Sequence, residues 1–168
     1  MTTMLVFLLV LAGITTRAES FDRVLSMPVP NAKPADLRDT FNESRGSERR
    51  HEATDIMAPR GTPVVAVEDG VIRKLFLSKP GGLTVYQFDP SQRFCYYYAH
   101  LGAYAAGLKE GMTVTRGQVI GYVGTTGNAP PQSPHLHFGI TELGPEKHWY
   151  GGTPLNPYPF LRAALHQP

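Results

Sequence analysis

Two histidines separated by a single residue, His135 and His137, are the first feature of the sequence that could support chemistry. They lie in the segment HLHFGI, which we predict to be a β-strand. Side chains at positions i and i+2 of a strand point to the same face, about 7 Å apart. The two imidazoles can therefore act on one point in space, as two metal ligands or as one ligand and one neighbour. A pair of polar residues facing solvent is the structural alternative.

A histidine and an aspartate four residues apart, His51 and Asp55, form a second candidate pair. In a helix they would share a face, but prolines interrupt the sequence that follows them. In a straight strand they would lie about 13 Å apart, which is too far for both to bind one ion. A shared metal therefore requires the backbone to bend at Ala53 and Thr54.

A further candidate, His100, follows three tyrosines in the segment YYYAHL. Strict strand alternation places His100 on the same face as Phe94, Tyr96 and Tyr98. The residues on the opposite face are then Cys95, Tyr97, Ala99 and Leu101. A histidine packed among aromatic rings and a histidine lining a concave polar site are both compatible with this pattern. The cysteine is expected to be buried and unreactive.

Together, these segments offer a ligand set of two nitrogens and one oxygen. His51, Asp55 and one histidine of the HLH pair would leave a fourth position open to water, as catalytic zinc sites do, whereas structural sites are closed and usually rich in thiolates. The histidines left over could transfer protons or stabilise a developing oxyanion. Imidazole suits Zn²⁺, although Cu²⁺ or Ni²⁺ would also bind in vitro.

Five separated motifs resemble, in this order, the lysostaphin/LytM-type zinc metallopeptidases. Between about Arg50 and Ile140 they are HEATD, APRGTPVVAVEDGVI, YYYAHL, GMTVTRGQVIGYVGTTGN and PHLHF. The resemblance implies a compact antiparallel β architecture with a narrow groove and, in most members, cleavage of peptide cross-links of bacterial peptidoglycan. It also implies the roles of the site residues: zinc bound by His51, Asp55 and His137, and the reacting water flanked by His100 and His135.

Two features depart from the family pattern. The family usually has a glycine and then an aliphatic residue before the aspartate of the first motif, where this chain has Ala53 and Thr54. If that glycine holds a positive φ, Ala53 strains the turn by about 1 kcal/mol. The loop after Gly127 (NAPPQSP) is longer and richer in proline, so we expect a different groove shape.

The turn residues predict the mainly β domain that must position these side chains. The chain has 17 glycines and 15 prolines in 168 residues, about 19% against a usual ~12%, which favours short strands joined by turns. We expect a compact antiparallel β-sandwich or barrel-like domain with short peripheral helices, and a hairpin turn at Glu68–Gly70. The predicted strands are Pro63–Val67, Val71–Leu77, Leu83–Phe88, Phe94–Leu101, Val119–Val123 and Leu136–Thr141. Short helices are predicted over Ala35–Phe41 and Pro159–Leu165.

The N-terminal apolar run, Met4–Ile14, is predicted to be part of a signal peptide over residues 1–18. As a helix it would be about 16 Å long, too short to cross a hydrocarbon core of about 30 Å. Small residues at Thr16 and Ala18 suit a cleavage site, and export would place the protein in the periplasm or outside the cell. A buried N-terminal helix or strand is the alternative. We expect residues 19–45 to be a linker with a short helix and 46–168 to be the zinc metallopeptidase domain, with its core at 50–141.

The function that these features favour is a zinc-dependent endopeptidase with a peptidoglycan peptide as its substrate. The cleaved bond, glycine–glycine or a linkage to a D-amino acid, stays open. A formal charge of only +2 argues against a nucleic-acid partner. The alternatives are a non-catalytic module that binds peptidoglycan or activates another cell-wall hydrolase and, from the turn pattern at Glu110–Gly121, a lipoyl-like carrier domain.

Overall fold

The computed structural model describes residues 21, 23–45 and 50–166. The predicted signal peptide, residues 1–18, lies outside these ranges. The described residues contain nine β-strands and one α-helix: Thr54–Met57 (β1), Pro63–Val65 (β2), Gly70–Ser78 (β3), Gly82–Phe88 (β4), Phe94–Tyr104 (β5), Thr113–Val114 (β6), Val119–Val123 (β7), His135–Glu142 (β8), Thr153–Leu155 (β9) and Tyr158–Ala164 (α1). None of the helices in this part of the chain is long and apolar enough to cross a membrane.

The strands form a single antiparallel sheet, which confirms the predicted mainly β, antiparallel fold. Its main path runs β1-β8-β5-β4-β3-β6, while β7 pairs with both β2 and β5, and β9 pairs with β8. The predicted hairpin turn at Glu68–Gly70 is wrong, because β2 pairs with β7 and not with β3. The residues after β2 bond elsewhere: the Ala66 N–H donates to the carbonyl of Gln118, and the Val67 carbonyl accepts from Ser26.

Alternate residues of the two central strands build the core. Tyr96 and Tyr98 of β5 and Phe138 and Ile140 of β8 are fully buried, so their apolar surface drives the pairing of these strands. The Tyr98 hydroxyl still finds a partner, donating to Oε1 of Gln87 at 2.7 Å. Because side chains alternate along a strand, the residues between these core positions must face the opposite side of the sheet.

The chain before β1 packs against the sheet. Leu25 and Val29 are buried in the main core, so these two residues of the predicted linker pack on the domain. The predicted helix over Ala35–Phe41 is also wrong: a 3₁₀ turn at Pro34–Asp36 ends where Leu37 bridges Ile56 of β1. Burial of these apolar side chains at the sheet edge stabilises an extended path over a continued helix.

The segment after β8, which we call the closing segment, also lies on the sheet. β9 pairs with β8, and the ring of Trp149 packs against those of Phe76 and Tyr86 with centroids 5.3 and 4.7 Å away. The helix predicted over Pro159–Leu165 is confirmed as α1, which buries Leu161 completely.

Candidate metal centre

The pairing of β1 with β8 places a carboxylate directly opposite an imidazole. Asp55 and His137 are partners in the antiparallel register, and their neighbours Ile56 and Leu136 are buried in the core. Both polar side chains therefore face the other side of the sheet. There, Nδ1 of His137 lies 3.0 Å from Oδ1 of Asp55.

A bend before β1 brings His51 to the same point. Glu52 has a φ of +56°, and this left-handed residue turns the chain so that Nε2 of His51 lies 3.0 Å from Oδ1 of Asp55 and 3.0 Å from Nδ1 of His137. The bend that a shared metal requires is therefore present. The expectation of strain at Ala53 is wrong, because the residue with the positive φ is Glu52.

Thr54 occupies the position where the family usually has an aliphatic residue. The residue is fully buried, and its hydroxyl has no hydrogen-bond partner among the residues that the structure describes. An unsatisfied buried hydroxyl costs about 1–3 kcal/mol. This departure therefore weakens the fold locally.

The three atoms fit a divalent metal ion. Nε2 of His51, Oδ1 of Asp55 and Nδ1 of His137 form a triangle with sides of 3.0 Å. Zinc bonds of about 2.0–2.1 Å in tetrahedral geometry separate ligand atoms by about 3.3 Å, so only a small expansion is needed. Two imidazoles and one carboxylate are also the donor types that zinc accepts at catalytic sites.

The protonation states of these side chains suit metal binding. Burial raises the pKa of the Asp55 carboxyl, but hydrogen bonds from His137 and His51 outweigh burial and hold that pKa below its usual value. Burial lowers the pKa of His137 against the opposing effect of Asp55. Near neutral pH the carboxylate is therefore charged and the His137 imidazole is neutral, the forms that act as ligands.

Thr40, from the chain before β1, holds the outer nitrogen of His51. Its hydroxyl oxygen lies 2.8 Å from Nδ1 of His51 in a buried contact, and Thr40 is only 8% exposed. With Nε2 of His51 bound to an ion, Nδ1 would carry the hydrogen and donate it to the Thr40 hydroxyl. This bond fixes both the tautomer and the orientation of the ring, as outer partners of ligand histidines commonly do. Nothing in the sequence pattern around Thr40 signals this role.

Replacing Thr40 by valine is expected to weaken zinc binding about 10- to 100-fold, because the His51 ring loses the partner that orients it. Valine keeps the shape of threonine, so the unfolding midpoint should change little by comparison. Competition with a chromophoric chelator measures the affinity. Thr40→Ser restores the hydroxyl and should restore most of the affinity, and equal affinities of the wild type and Thr40→Val would contradict the role of this bond.

His100 reaches the same face by a β-bulge. In the pairing of β4 with β5, Val85 opposes Tyr98 while Leu83 opposes Leu101, so β5 has one residue more than β4. His100 has a φ of +61° at this point. The bulge reverses the alternation, so His100 lines the site while Leu101 enters the core. The predicted grouping of His100 with the core aromatic residues is therefore wrong.

The two remaining site histidines each have one nitrogen held by a backbone carbonyl. Nδ1 of His100 donates to Thr126 O at 2.8 Å, and Nδ1 of His135 donates to Ser133 O at 2.7 Å. In the neutral rings, Nε2 is therefore the nitrogen with a free lone pair. Burial lowers the pKa of His100 to about 4, so this imidazole is neutral near pH 7.

All five histidine and aspartate side chains line one cavity of about 730 Å³, which we call the central cavity. Nε2 of His135 lies 3.8 Å from Oδ1 of Asp55, and the ring centroids of His100 and His137 are 5.6 Å apart. The proline-rich loop that follows Gly127 forms one wall of the cavity, and the chain before His51 contributes another. The arrangement places three candidate metal ligands and two further imidazoles in one groove.

Three further residues with ionisable side chains, His148, His166 and Cys95, do not line the central cavity. His148 is exposed and its ring stacks on Tyr150 with centroids 5.1 Å apart, and His166 is exposed near the end of the chain. Cys95 is buried as predicted, and burial raises the pKa of its thiol to about 12. A neutral, inaccessible thiol is a poor nucleophile.

Comparisons with known proteins agree with this geometry. The sequence profile of peptidase family M23 matches residues 49–157. The L-Ala–D-Glu endopeptidase of Bacillus subtilis is 36% identical over 145 residues, 82% of this chain and 43% of that protein. The peptidoglycan DD-endopeptidase ShyC of Vibrio cholerae is 36% identical over 113 residues, 62% of this chain and 25% of that protein. The catalytic domain of the antimicrobial peptidase lysostaphin from Staphylococcus simulans has a TM-score of 0.59 at 31% identity, covering 67% of this chain and 80% of that one.

The residues covered by these matches extend beyond the five motifs of the sequence. The profile continues past Ile140 to residue 157, so the closing segment, which the sequence resemblance left out, is part of the family domain. The match to the Bacillus protein also takes in part of the chain before residue 49, because residues 49–168 are less than 82% of the chain. This chain spans less than half the length of each of the two curated relatives.

Proposed function

The chain belongs to peptidase family M23, and from this premise we propose that it is a zinc-dependent endopeptidase that hydrolyses peptide bonds of bacterial cell-wall peptidoglycan. The observation that carries the proposal is the triangle of three ligand atoms, 3.0 Å on each side, beside two imidazoles with free Nε2 atoms. A binding module would need neither the triangle nor the two imidazoles.

His51, Asp55 and His137 are the residues that would hold the ion. When bound there, Zn²⁺ supplies Lewis-acid polarisation of the scissile carbonyl and lowers the pKa of a water molecule to about 7. The hydrogen bond between the Thr40 hydroxyl and Nδ1 of His51 keeps one ligand ring in position. The Asp55 carboxylate contributes the single negative charge of the ligand set, so the loaded site retains a positive charge toward the substrate carbonyl.

His100 and His135 are the proposed proton-transfer residues. Each ring is fixed through Nδ1–H to a backbone carbonyl, so rotation does not remove Nε2 from the cavity side. Either Nε2 can accept the proton of the attacking water and return it to the leaving amine, or, once protonated, donate a hydrogen bond to the oxyanion. The two histidines lie with their ring centroids 5.0 Å apart, close enough to act on one substrate bond.

The substrate class and the location follow from the same reasoning. One relative is named as a peptidoglycan DD-endopeptidase and another as an L-Ala–D-Glu endopeptidase. Their bonds differ, so the groove of each protein must select the bond that is cleaved. Peptidoglycan lies outside the cytoplasmic membrane, and the apolar run Met4–Ile14 would supply the export signal. We place the catalytic domain at residues 46–168, around the family match.

Removal and return of the metal tests the proposal. The purified full chain should contain one zinc ion per molecule by elemental analysis and should hydrolyse peptidoglycan. A chelator should abolish the hydrolysis, and Zn²⁺ should restore it where Mg²⁺ does not, because a site of two imidazoles and one carboxylate favours zinc. Full hydrolysis by the metal-free protein would contradict the proposal, and zinc binding without hydrolysis would favour a non-catalytic module.

A further inference from the structure

Three arginines line the central cavity beside the candidate ligands: Arg38, Arg45 and Arg50. All three belong to the chain before His51, in or next to the segment that supplies Thr40. We call these residues the arginine wall. No other arginine and no lysine among the described residues lines this cavity, so its guanidinium groups lie on a single wall.

The arginine wall is only partly neutralised by the protein. Nη2 of Arg45 lies 3.2 Å from Oδ2 of Asp55, the carboxylate oxygen that does not belong to the ligand triangle. Arg50 donates to the neutral side chain of Asn42 at 3.0 Å. Arg38 is exposed and has no hydrogen-bond or ion-pair partner among the described residues. Within the described part of the chain, two guanidinium groups therefore face the cavity without a counter-charge in contact.

Apart from Asp55, the described carboxylates of the cavity are not in contact with the arginine wall. Besides Asp55, the described residues that line the cavity include two acidic ones, Glu43 and Glu52, and neither forms an ion pair with the arginine wall. The three arginines and the three carboxylates Glu43, Glu52 and Asp55 balance formally, so the charge that a metal ion would bring makes the loaded cavity positive. A concave surface strengthens such a field toward an approaching anion.

Guanidinium groups select a particular ligand chemistry. Their planar fork matches a carboxylate with two parallel hydrogen bonds, a fit that an amide or a glycine backbone does not provide. Resting on the proposed function, we propose that Arg38 and Arg50 bind a free carboxylate of the substrate next to the scissile bond. The substrate class would then be an acidic stem peptide and not a neutral cross-bridge.

A single chemical change in the substrate isolates this interaction. A glutamate linked through its γ-carboxyl group keeps a free α-carboxylate, and amidation converts this group to a neutral carboxamide of nearly the same shape. Two synthetic stem peptides that differ only in this group are offered to the zinc-loaded full chain, and kcat/KM is measured for each. Two exposed ion pairs predict a ratio of acid to amide of roughly 10, which corresponds to about 1.4 kcal/mol in total.

The variants and the salt dependence complete the test. In the double variant Arg38→Gln/Arg50→Gln the ratio should fall to about 1, whereas Arg73→Gln, an exposed arginine on β3 outside the cavity, should keep it. High salt should lower the ratio in the wild type, because screening weakens exposed ion pairs. This measurement needs no variant, so misfolding of the double variant would not prevent the test.

The outcomes separate this inference from the proposed function. Equal cleavage of both peptides by the wild type, or a ratio that neither salt nor the double variant changes, would overturn the carboxylate site and leave the endopeptidase intact. Cleavage of neither peptide, nor of intact peptidoglycan, by a zinc-loaded protein would contradict the proposed function itself.

Discussion

His137→Ala is expected to abolish both zinc binding and peptidoglycan hydrolysis. The substitution removes one corner of the ligand triangle, whose atoms lie 3.0 Å apart. Loss of an outer partner of a ligand histidine typically costs about 10- to 100-fold in metal affinity, and loss of the ligand itself should cost more. We expect no zinc after dialysis and hydrolysis at least 1,000-fold below the wild type, on the order of the loss when a catalytic unit is broken.

His148→Ala is the matched control for this experiment, because His148 is exposed and lies outside the central cavity. It should keep one zinc ion per chain and full hydrolysis. The unfolding midpoint of metal-free His137→Ala should stay close to that of the metal-free wild type, which separates loss of a ligand from loss of the fold. A His137→Ala protein that retains zinc, or that hydrolyses peptidoglycan at the wild-type rate, would remove His137 from the ligand set.

His135→Ala is expected to keep its zinc and to lose turnover. The free Nε2 of His135 lies 3.8 Å from Oδ1 of Asp55, farther than the sides of the ligand triangle, and its Nδ1 is fixed by the carbonyl of Ser133. A positioned proton-transfer group contributes about 10²- to 10⁴-fold to the rate. We expect a fall of this size in kcat, with a small change in KM and in zinc content.

The His135→Ala result is interpreted by comparing its zinc content and its turnover with those of His137→Ala. Two histidines on one strand, two residues apart, should produce different phenotypes: loss of metal in one variant and loss of turnover with metal in the other. His100→Ala should behave like His135→Ala, since its Nδ1 is held by Thr126 in the same manner. Zinc loss in His135→Ala would make His135 a ligand, and unchanged kcat would exclude it from the reaction.

Most of the strands could be predicted because their signals are local. Alternating apolar residues bounded by glycine, proline and aspartate mark β3, β4 and β7 within a residue or two of their observed ends. The position of His135 and His137 on one face of their strand follows from strand periodicity alone. The alternation fails at His100, where one extra residue in β5 forms a bulge that depends on the register of the neighbouring strand.

The sequence by itself determined which residues could bind a metal, the strand that presents His135 and His137, and the need for a bend between His51 and Asp55. Each of these depends on spacing along a few consecutive residues. Only the tertiary structure decided that Glu52 makes the bend, that Thr40 orients His51, and that the chain before β1 forms a wall of the groove. Those contacts join residues that are distant in the chain or depend on backbone conformation, and they form because packing on the assembled sheet selects one of many locally allowed paths.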